Sequence, residues 1–280
     1  MVLCYPTEKD YWEEKPMELD GNAQIIDLTP QNIADYGVCG YKDVAKHLEL
    51  RNKIQWFGEY YPQGLRIKAL TTKAEGYQGM LEYIPGEYAH RPVHAKGYLF
   101  IHCIFVGFKN TCKHHGYASA MLRTVVEEAR QKQLSGLAVV TRKSAFMAGS
   151  DIFLKNGFRV VDQAKPDFEL LALKFDDSGE NPRFRHEIIN HAAAYPAGLT
   201  VMRSFQCPYT EKNVKAILQT AKQEFGLEAS LVELADFEAA QNCPSPFGSF
   251  CLIYQGEVLS HHPISSTRFA NIMRQKLKGK

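Results

Sequence analysis

The sequence predicts an α/β protein, α+β in detail: a larger unit on a mixed central sheet, then a smaller unit of order βαβαββα. Three observations carry that expectation. First, "GYLFIHCIFVGF" (residues 97–108) has the β-branched and aromatic content of a strand, and "SGLAVVT" (residues 135–141) reads as a second, buried strand. Between them, residues 117–133 form an amphipathic helix, with Ala118, Met121, Leu122, Val125 and Ala129 on one stripe and Arg123, Thr124, Glu127, Glu128 and Arg130 opposite. A helical crossover of this length joins parallel neighbours, so the two strands run parallel. Second, the apolar periodicity breaks in "KFDDSGENPRFRHEIINHAAAYPAG" (residues 174–198), which reads as a linker with one short helix. Third, the chain beyond it runs strand (198–205), helix to Phe225, strand (227–234), short helix (236–241), hairpin (248–259) and final helix (266–277).

Composition narrows the classes. With 280 residues, 45% of them hydrophobic, each unit can bury a core, and the divisions fall at 1–178, 179–197 as linker, and 198–280. Lys and Arg total 33 against 31 Asp and Glu, which gives no basic face for nucleic acid. No apolar run approaches the ~20 residues of a membrane span, and the opening "MVLCYPTEKDYWEEKP" lacks a signal peptide's basic start and apolar stretch, so the expectation is a cytoplasmic protein without membrane contact. Seven scattered cysteines, with no CxxC pair and no HxxxH pattern, read as buried small hydrophobes, and no metal site is expected.

The stretch "CKHHGYASAM" (residues 112–121) sits between the first strand and the helix. A glycine at that junction lets the backbone turn so that several amides point at one spot, and the C-terminal end of a strand facing a helix N-terminus is where α/β proteins bind phosphate. Lys113 and His114 either contact that phosphate or are solvated loop residues; the backbone amides bind in both cases.

Lys113-His114-His115-Gly116-Tyr117-Ala118 resembles the Arg/Gln-x-x-Gly-x-Gly/Ala pyrophosphate loop of the GNAT superfamily of acyl-CoA N-acyltransferases, with Lys113 where the family carries Arg or Gln. The resemblance implies that Lys113, His115, Gly116, Tyr117, Ala118 and Ser119 hold the pyrophosphate of acetyl-CoA, and that the preceding strand splays open so that its backbone at Ile104 and Val106 pairs with the pantetheine arm. "SDIFLKNGFRVVD" (residues 150–162) resembles the superfamily's last common helix with its Asn-Gly-Phe ending, followed by the edge strand "FELLALKF" (residues 168–175). "GMLEYIPGEYAHRPVHAKGYLFIHCIFV" (residues 79–106) resembles a GNAT branch that often carries a C-terminal region of the YoaP type. The implied fold is the GNAT acyltransferase fold, and the implied acceptor is a small-molecule amine or a peptide; a homodimer is left open.

Attack of an amine on a thioester asks for a general base and, for the departing thiolate, a general acid. Glu82, Glu87 and His102 are the candidates for the base. His102 alternates with Phe100, Ile104 and Val106 on one strand face, pointing either into a packed layer or into the acceptor cleft. Glu82, between apolar residues of a neighbouring strand, must be paired or face a cleft. Arg91 either orients an acceptor carboxylate or pairs with Glu87, and Trp56, Phe57, Tyr60 and Tyr61 either line the acceptor pocket or are core. The family's usual acid is a Tyr four residues before the helix-ending glycine, and Phe153 stands there. Tyr98, Tyr117 or Cys103 supplies the proton, or the thiolate leaves unaided, or the unit is not a working transferase.

The second unit resembles a thioredoxin-like domain, and "QCPYT" (residues 206–210) resembles the glutaredoxin Cys-Pro-Tyr-Cys motif with Thr210 in place of the second cysteine. Cys207 then sits at a helix N-terminus, which stabilises thiolate. Cys243 or Cys251 resolves a mixed disulfide only if folding brings it near Cys207, and Pro246 precedes the hairpin as that fold's cis-proline does. Two functions follow from these residues: an acyl-CoA-dependent N-acetyltransferase, or a thiol-dependent redox or thiol-recognition protein acting through Cys207.

Overall fold

A computed structural model describes Leu19 and residues 21–107, 115–176 and 179–278. Two sheets organise the chain. Thirteen strands lie among the described residues: β1 (Ala23–Leu28), β2 (Arg66–Thr72), β3 (Gly76–Pro85), β4 (Val93–His94), β5 (Tyr98–Val106), β6 (Gly136–Thr141), β7 (Arg159–Ala164), β8 (Phe168–Lys174), β9 (Arg183–Phe184), β10 (Leu199–Arg203), β11 (Ala229–Glu233), β12 (Phe250–Tyr254) and β13 (Glu257–Ser260). The helices are α1 (Ile33–Tyr36), α2 (Leu48–Tyr60), α3 (Tyr117–Gln131), α4 (Asp151–Lys155), α5 (Pro208–Phe225), α6 (Phe237–Gln241) and α7 (Ser266–Lys278).

The larger sheet has the order β1-β2-β3-β5-β6-β8-β7. Its β5–β6 pair is parallel, as the helical crossover through α3 requires, and its other neighbours are antiparallel. The mixed central sheet expected from the sequence is therefore present. One strand is placed differently from the expectation: β8 lies inside the sheet between β6 and β7, and the edge is β7. Composition explains this, since β8 is apolar and mostly buried while β7 has no buried residue and exposes Arg159, Val160 and Gln163.

A second difference is more consequential. In the β3–β5 ladder Glu82 faces Cys103 and Tyr83 faces Ile101, so His102 is an extra residue in β5, a β-bulge. A single extra residue inverts the alternation beyond it. Phe100 packs in one core layer and Ile104 in the layer on the opposite face, where Ile101, Tyr117 and Met121 also lie. Cys103 and Phe105 pack against the Phe100 layer instead. The expectation that Phe100, His102, Ile104 and Val106 share one face is thus corrected.

The second sheet has the order β11-β10-β12-β13, with β10 parallel to β11 and antiparallel to β12, and it follows the expected βαβαββα order. The cis peptide among the described residues is Lys165–Pro166, so the bond before Pro246 is trans, contrary to its expected likeness. Residues 179–197 are packed rather than loose: β9 pairs with β4, Phe184 and Ile189 are buried, and the Asn190 amide donates to the Pro244 carbonyl at 2.9 Å. The apolar side chains in that segment account for its docking.

One apolar layer joins the two sheets. It includes Trp56, Phe57 and Tyr60 of α2, Met80 and Ile84 of β3, and Val201, Phe250, Leu252 and Phe269 of the second unit. Because neither side of this layer can be exposed without losing burial, the chain is expected to unfold in one cooperative calorimetric transition. Phe184→Ala should lower that stability by about 3–5 kcal/mol. Two separated transitions would contradict the shared core.

Candidate active site

The His102 bulge also shapes a cleft. The β5–β6 pairing runs from Tyr98↔Gly136 to Ile101↔Val139 and stops there, at the residue before the bulge. Extra twist at a bulge carries the rest of the strand away from its neighbour. The diverging end of β5 and the start of α3 then enclose a cleft of about 460 Å³. Its lining brings together Ile104, Val106, His115, Gly116, Tyr117, Ala118 and Ser119, seven of the residues singled out in the sequence. Lys113 and His114 lie outside the described residues.

Gly116 is the N-cap of α3 with φ +75°, a left-handed conformation that a side chain would strain. The helix behind it leaves first-turn amides such as those of Ala118 and Ser119 without intrahelical acceptors and places a positive dipole end at the cleft. Asn156 fixes this end, donating to Ser119 Oγ at 3.0 Å and to the Ile152 carbonyl at 2.7 Å. Phe105, Ala148, Ile152 and Lys155 also line the cleft and were not foreseen.

On the other side of β5 lies a buried polar cluster. Glu82 on β3 is 1% exposed, and its Oε2 is ion-paired with Lys53 Nζ of α2, itself fully buried. His102 Nδ1 stands 3.3 Å from Glu82 Oε1. The His90 amide donates to His102 Nε2 at 3.0 Å, so the neutral ring carries its proton on Nδ1, facing the carboxylate. Gln206, from the loop after β10 of the second unit, donates through Nε2 to Glu82 Oε1 at 3.1 Å. Arg91 is buried and donates to Gln206 Oε1 at 2.6 Å, the His90 carbonyl at 2.7 Å and the His102 carbonyl at 3.3 Å. It does not pair with Glu87.

Electrostatics follow from this packing. Burial alone would raise the Glu82 pKa, but Lys53 and then His102 outweigh it and the carboxyl is lowered to about 2. Burial lowers His102 to about 4 against the opposing pull of Glu82, with Arg91 and Lys53 adding to the decrease. Burial likewise holds His90 well below its ordinary value. At neutral pH the cluster therefore contains ionised Glu82, neutral imidazoles and a His102 lone pair already engaged by a backbone amide. His102 can accept a proton only by giving up that bond.

The other candidates separate. Glu87 is exposed in a turn outside the cluster; the structure does not bring it to Glu82, and its contribution is a carbonyl that accepts from Gln241 at 2.9 Å. Trp56, Phe57 and Tyr60 are core residues, and the rings of Trp56 and Tyr60 enclose that of His90 at 4.9 and 4.5 Å. Tyr98 donates to the Glu180 carbonyl at 2.9 Å. Phe153 is buried beside Phe158. The Cys103 thiol is pushed up to about 12 by burial, then by Glu82 and Cys207.

Cys207 is the N-cap of α5 and lies in the field of Lys53 and Glu82. Its pKa is raised, because burial outweighs the Tyr209 amide, Lys53 and the Thr210 hydroxyl, so the expected thiolate stabilisation is overridden. The free thiols of Cys243 and Cys251 hydrogen-bond to each other within a separate apolar layer, and among the described residues the thiols in electrostatic reach of Cys207 are Cys39 and Cys103. Lys53, His90 and Gln206 were not anticipated from the sequence. Nothing local distinguishes Lys53 from a solvated helix residue, and Gln206 is joined to Glu82 across 124 positions of chain.

Comparison with known proteins agrees with the motifs. Residues 229–271 match the family model described as YoaP-like. The chain is similar to the uncharacterized N-acetyltransferase YoaP of Bacillus subtilis (strain 168), 23% identical over 251 residues that span 89% of this chain and 97% of that protein. These two matches support the resemblance to a GNAT superfamily protein with a YoaP-type region. Similar solved structures include a GNAT family acetyltransferase from Staphylococcus aureus (TM-score 0.39, 11% identity, covering 55% of this chain and 99% of that one). Another is a GNAT family acetyltransferase from Elizabethkingia anophelis with acetyl-CoA bound (TM-score 0.35, 18% identity, covering 55% and 99%). Among the described residues no helix is long and apolar enough to cross a membrane.

The lowered His102 pKa fixes a pH dependence. Between its unfolded value of 6.5 and its folded value of about 4, the unfolded chain binds the extra proton, so stability rises with pH across that window. Acidification from 6.5 to 4 should cost on the order of 3 kcal/mol from His102 alone. Glu82, depressed from 4.5 to about 2, loses its contribution as pH falls from 4.5 towards 2, so it overlaps the His102 window only at its acid end. Urea midpoints measured across pH should show a shallower slope between 6.5 and 4 in His102→Gln. An unchanged slope would remove His102 from the account.

Proposed function

We propose that the chain is an acyl-CoA-dependent N-acetyltransferase, with the acetyl-CoA cleft between β5 and α3 and the acceptor amine approaching from the Glu82–His102 side of β5. The observation that carries this reading is the cleft, where a strand edge freed beyond Ile101 meets a glycine-capped helix N-terminus. The first suits the amide groups of a pantetheine arm and the second a pyrophosphate, so the residues present fit the co-substrate. The similarity to an N-acetyltransferase along nearly the whole chain supports the same reading.

In the reaction the amine nitrogen attacks the thioester carbonyl, a C–N bond forms, the C–S bond breaks, and the amine's proton ends on the CoA thiol. Glu82 is a weak base at neutral pH by its low pKa. Once the nitrogen is bonded to the tetrahedral carbon its proton is far more acidic, and a fixed carboxylate then suffices to draw it off, directly or through water. We assign the return of a proton to sulfur to Tyr117, which lines the cleft, since Phe153 cannot fill that role. The acceptor class is a small-molecule amine or a peptide amine. The thiol alternative is disfavoured by the burial that keeps Cys207 protonated.

Calorimetric titration with acetyl-CoA under reducing conditions should give saturable binding. Gly116→Val, in a variant that still folds, should weaken it by roughly tenfold or more, because the left-handed N-cap is lost where the phosphates must approach. Equal binding by the variant would remove the loop assignment, and no binding by the folded wild type would remove the reading itself.

A further inference from the structure

We propose that Gln206 is a positioning residue of the acyl-transfer site, so that the second unit completes the site rather than accompanying it. The inference rests on the acetyltransferase reading for its consequence, and on geometry for its content.

Arg91 has donors only, so Gln206 must turn its carbonyl oxygen towards Arg91 and therefore its NH2 towards Glu82. The amide orientation, ordinarily ambiguous, is fixed by its neighbours. Arg91 in turn is held by the carbonyls of His90 and His102. It lies under Gly248 of the second unit, where a Cβ would come within 2.5 Å of the His90 carbonyl and 2.8 Å of the Arg91 Cα. The chain of contacts thus runs from β5 through Arg91 to Gln206 and back to Glu82 on β3.

That loop of bonds divides the carboxylate. Lys53 takes Oε2 and Gln206 takes Oε1, while His102 Nδ1, at 3.3 Å from the same oxygen, is left without a well-formed hydrogen bond. Without Gln206, rotation of the carboxylate would be opposed only by Lys53, and Oε1 would close on His102. Gln206 therefore keeps Glu82 from collapsing onto the imidazole, and holds one oxygen in a fixed direction. Cys39, Cys103 and Cys207, with Tyr77 and His90, are the remaining titratable groups in electrostatic reach of Glu82; all are held neutral by burial and do not substitute for Gln206.

The experiment follows the His102 ring by NMR titration between pH 4 and 8, in wild type and in Gln206→Met, which keeps the length and loses both hydrogen bonds. In the variant, a tighter Glu82–His102 bond should raise the His102 titration by about one pH unit. Calorimetric affinity for acetyl-CoA should stay within about twofold, since the cleft lies on the other side of β5. Gln206→Leu, which likewise removes both hydrogen bonds without adding charge, should move His102 in the same direction and serves if Gln206→Met does not fold. An unmoved His102 titration in either folded variant overturns the positioning role. A raised titration in a protein whose wild type does not bind acetyl-CoA would uphold the arrangement and overturn the acetyltransferase reading instead.

Discussion

One extra residue in β5 sets the geometry on both sides of the central sheet. At His102 the ladder to β3 gains an unpaired position, and at the same point the ladder to β6 ends. The added twist opens a cleft against α3, and the inverted alternation sends Ile104 to the α3 side while Cys103 and Phe105 join His102 facing α2 and the second unit. A regular strand of the same composition would have kept its pairing with β6 and closed the gap. Cleft and polar cluster are thus two outcomes of a single local irregularity.

The polar cluster is stable only as a set. Lys53 and Glu82 are both almost fully removed from water, and such a pair is favourable only when its remaining hydrogen-bonding groups are also satisfied. Gln206 supplies part of that satisfaction from the second unit, and the apolar layer shared by the two sheets supplies the dry surroundings. The same burial that strengthens the Lys53–Glu82 pair keeps His90 and His102 neutral and Cys207 protonated. Desolvation, rather than the helix dipole, governs the chemistry at Cys207.

Much of this was legible in the sequence and some was not. The strand, helix and strand around the glycine junction follow from periodicities of 2 and 3.6, and the second unit's element order follows in the same way. The cleft residues His115 to Ser119 were legible because one short loop carries them. The facing of β5 was not, since a bulge leaves no mark in an apolar strand and strict alternation is the natural expectation from "YLFIHCIFV". Glu82 was expected to be paired or to face a cleft, and His102 to point into a packed layer or the acceptor cleft, whereas the partners that hold them, Lys53, Arg91 and Gln206, come from α2, a turn and the second unit. Long-range pairing of this kind has no local signature. Glu87 shows the converse, a charged residue near the right motif that folding leaves in solvent.

The central claim is that the co-substrate site is built at the β5 irregularity. Hydrogen exchange measured by mass spectrometry, with and without saturating acetyl-CoA, tests it most directly. Slowed exchange in residues 102–106 and 116–119, with residues 206–210 little changed, is the predicted result. Protection confined to other segments of a folded, acetyl-CoA-saturated chain would contradict it.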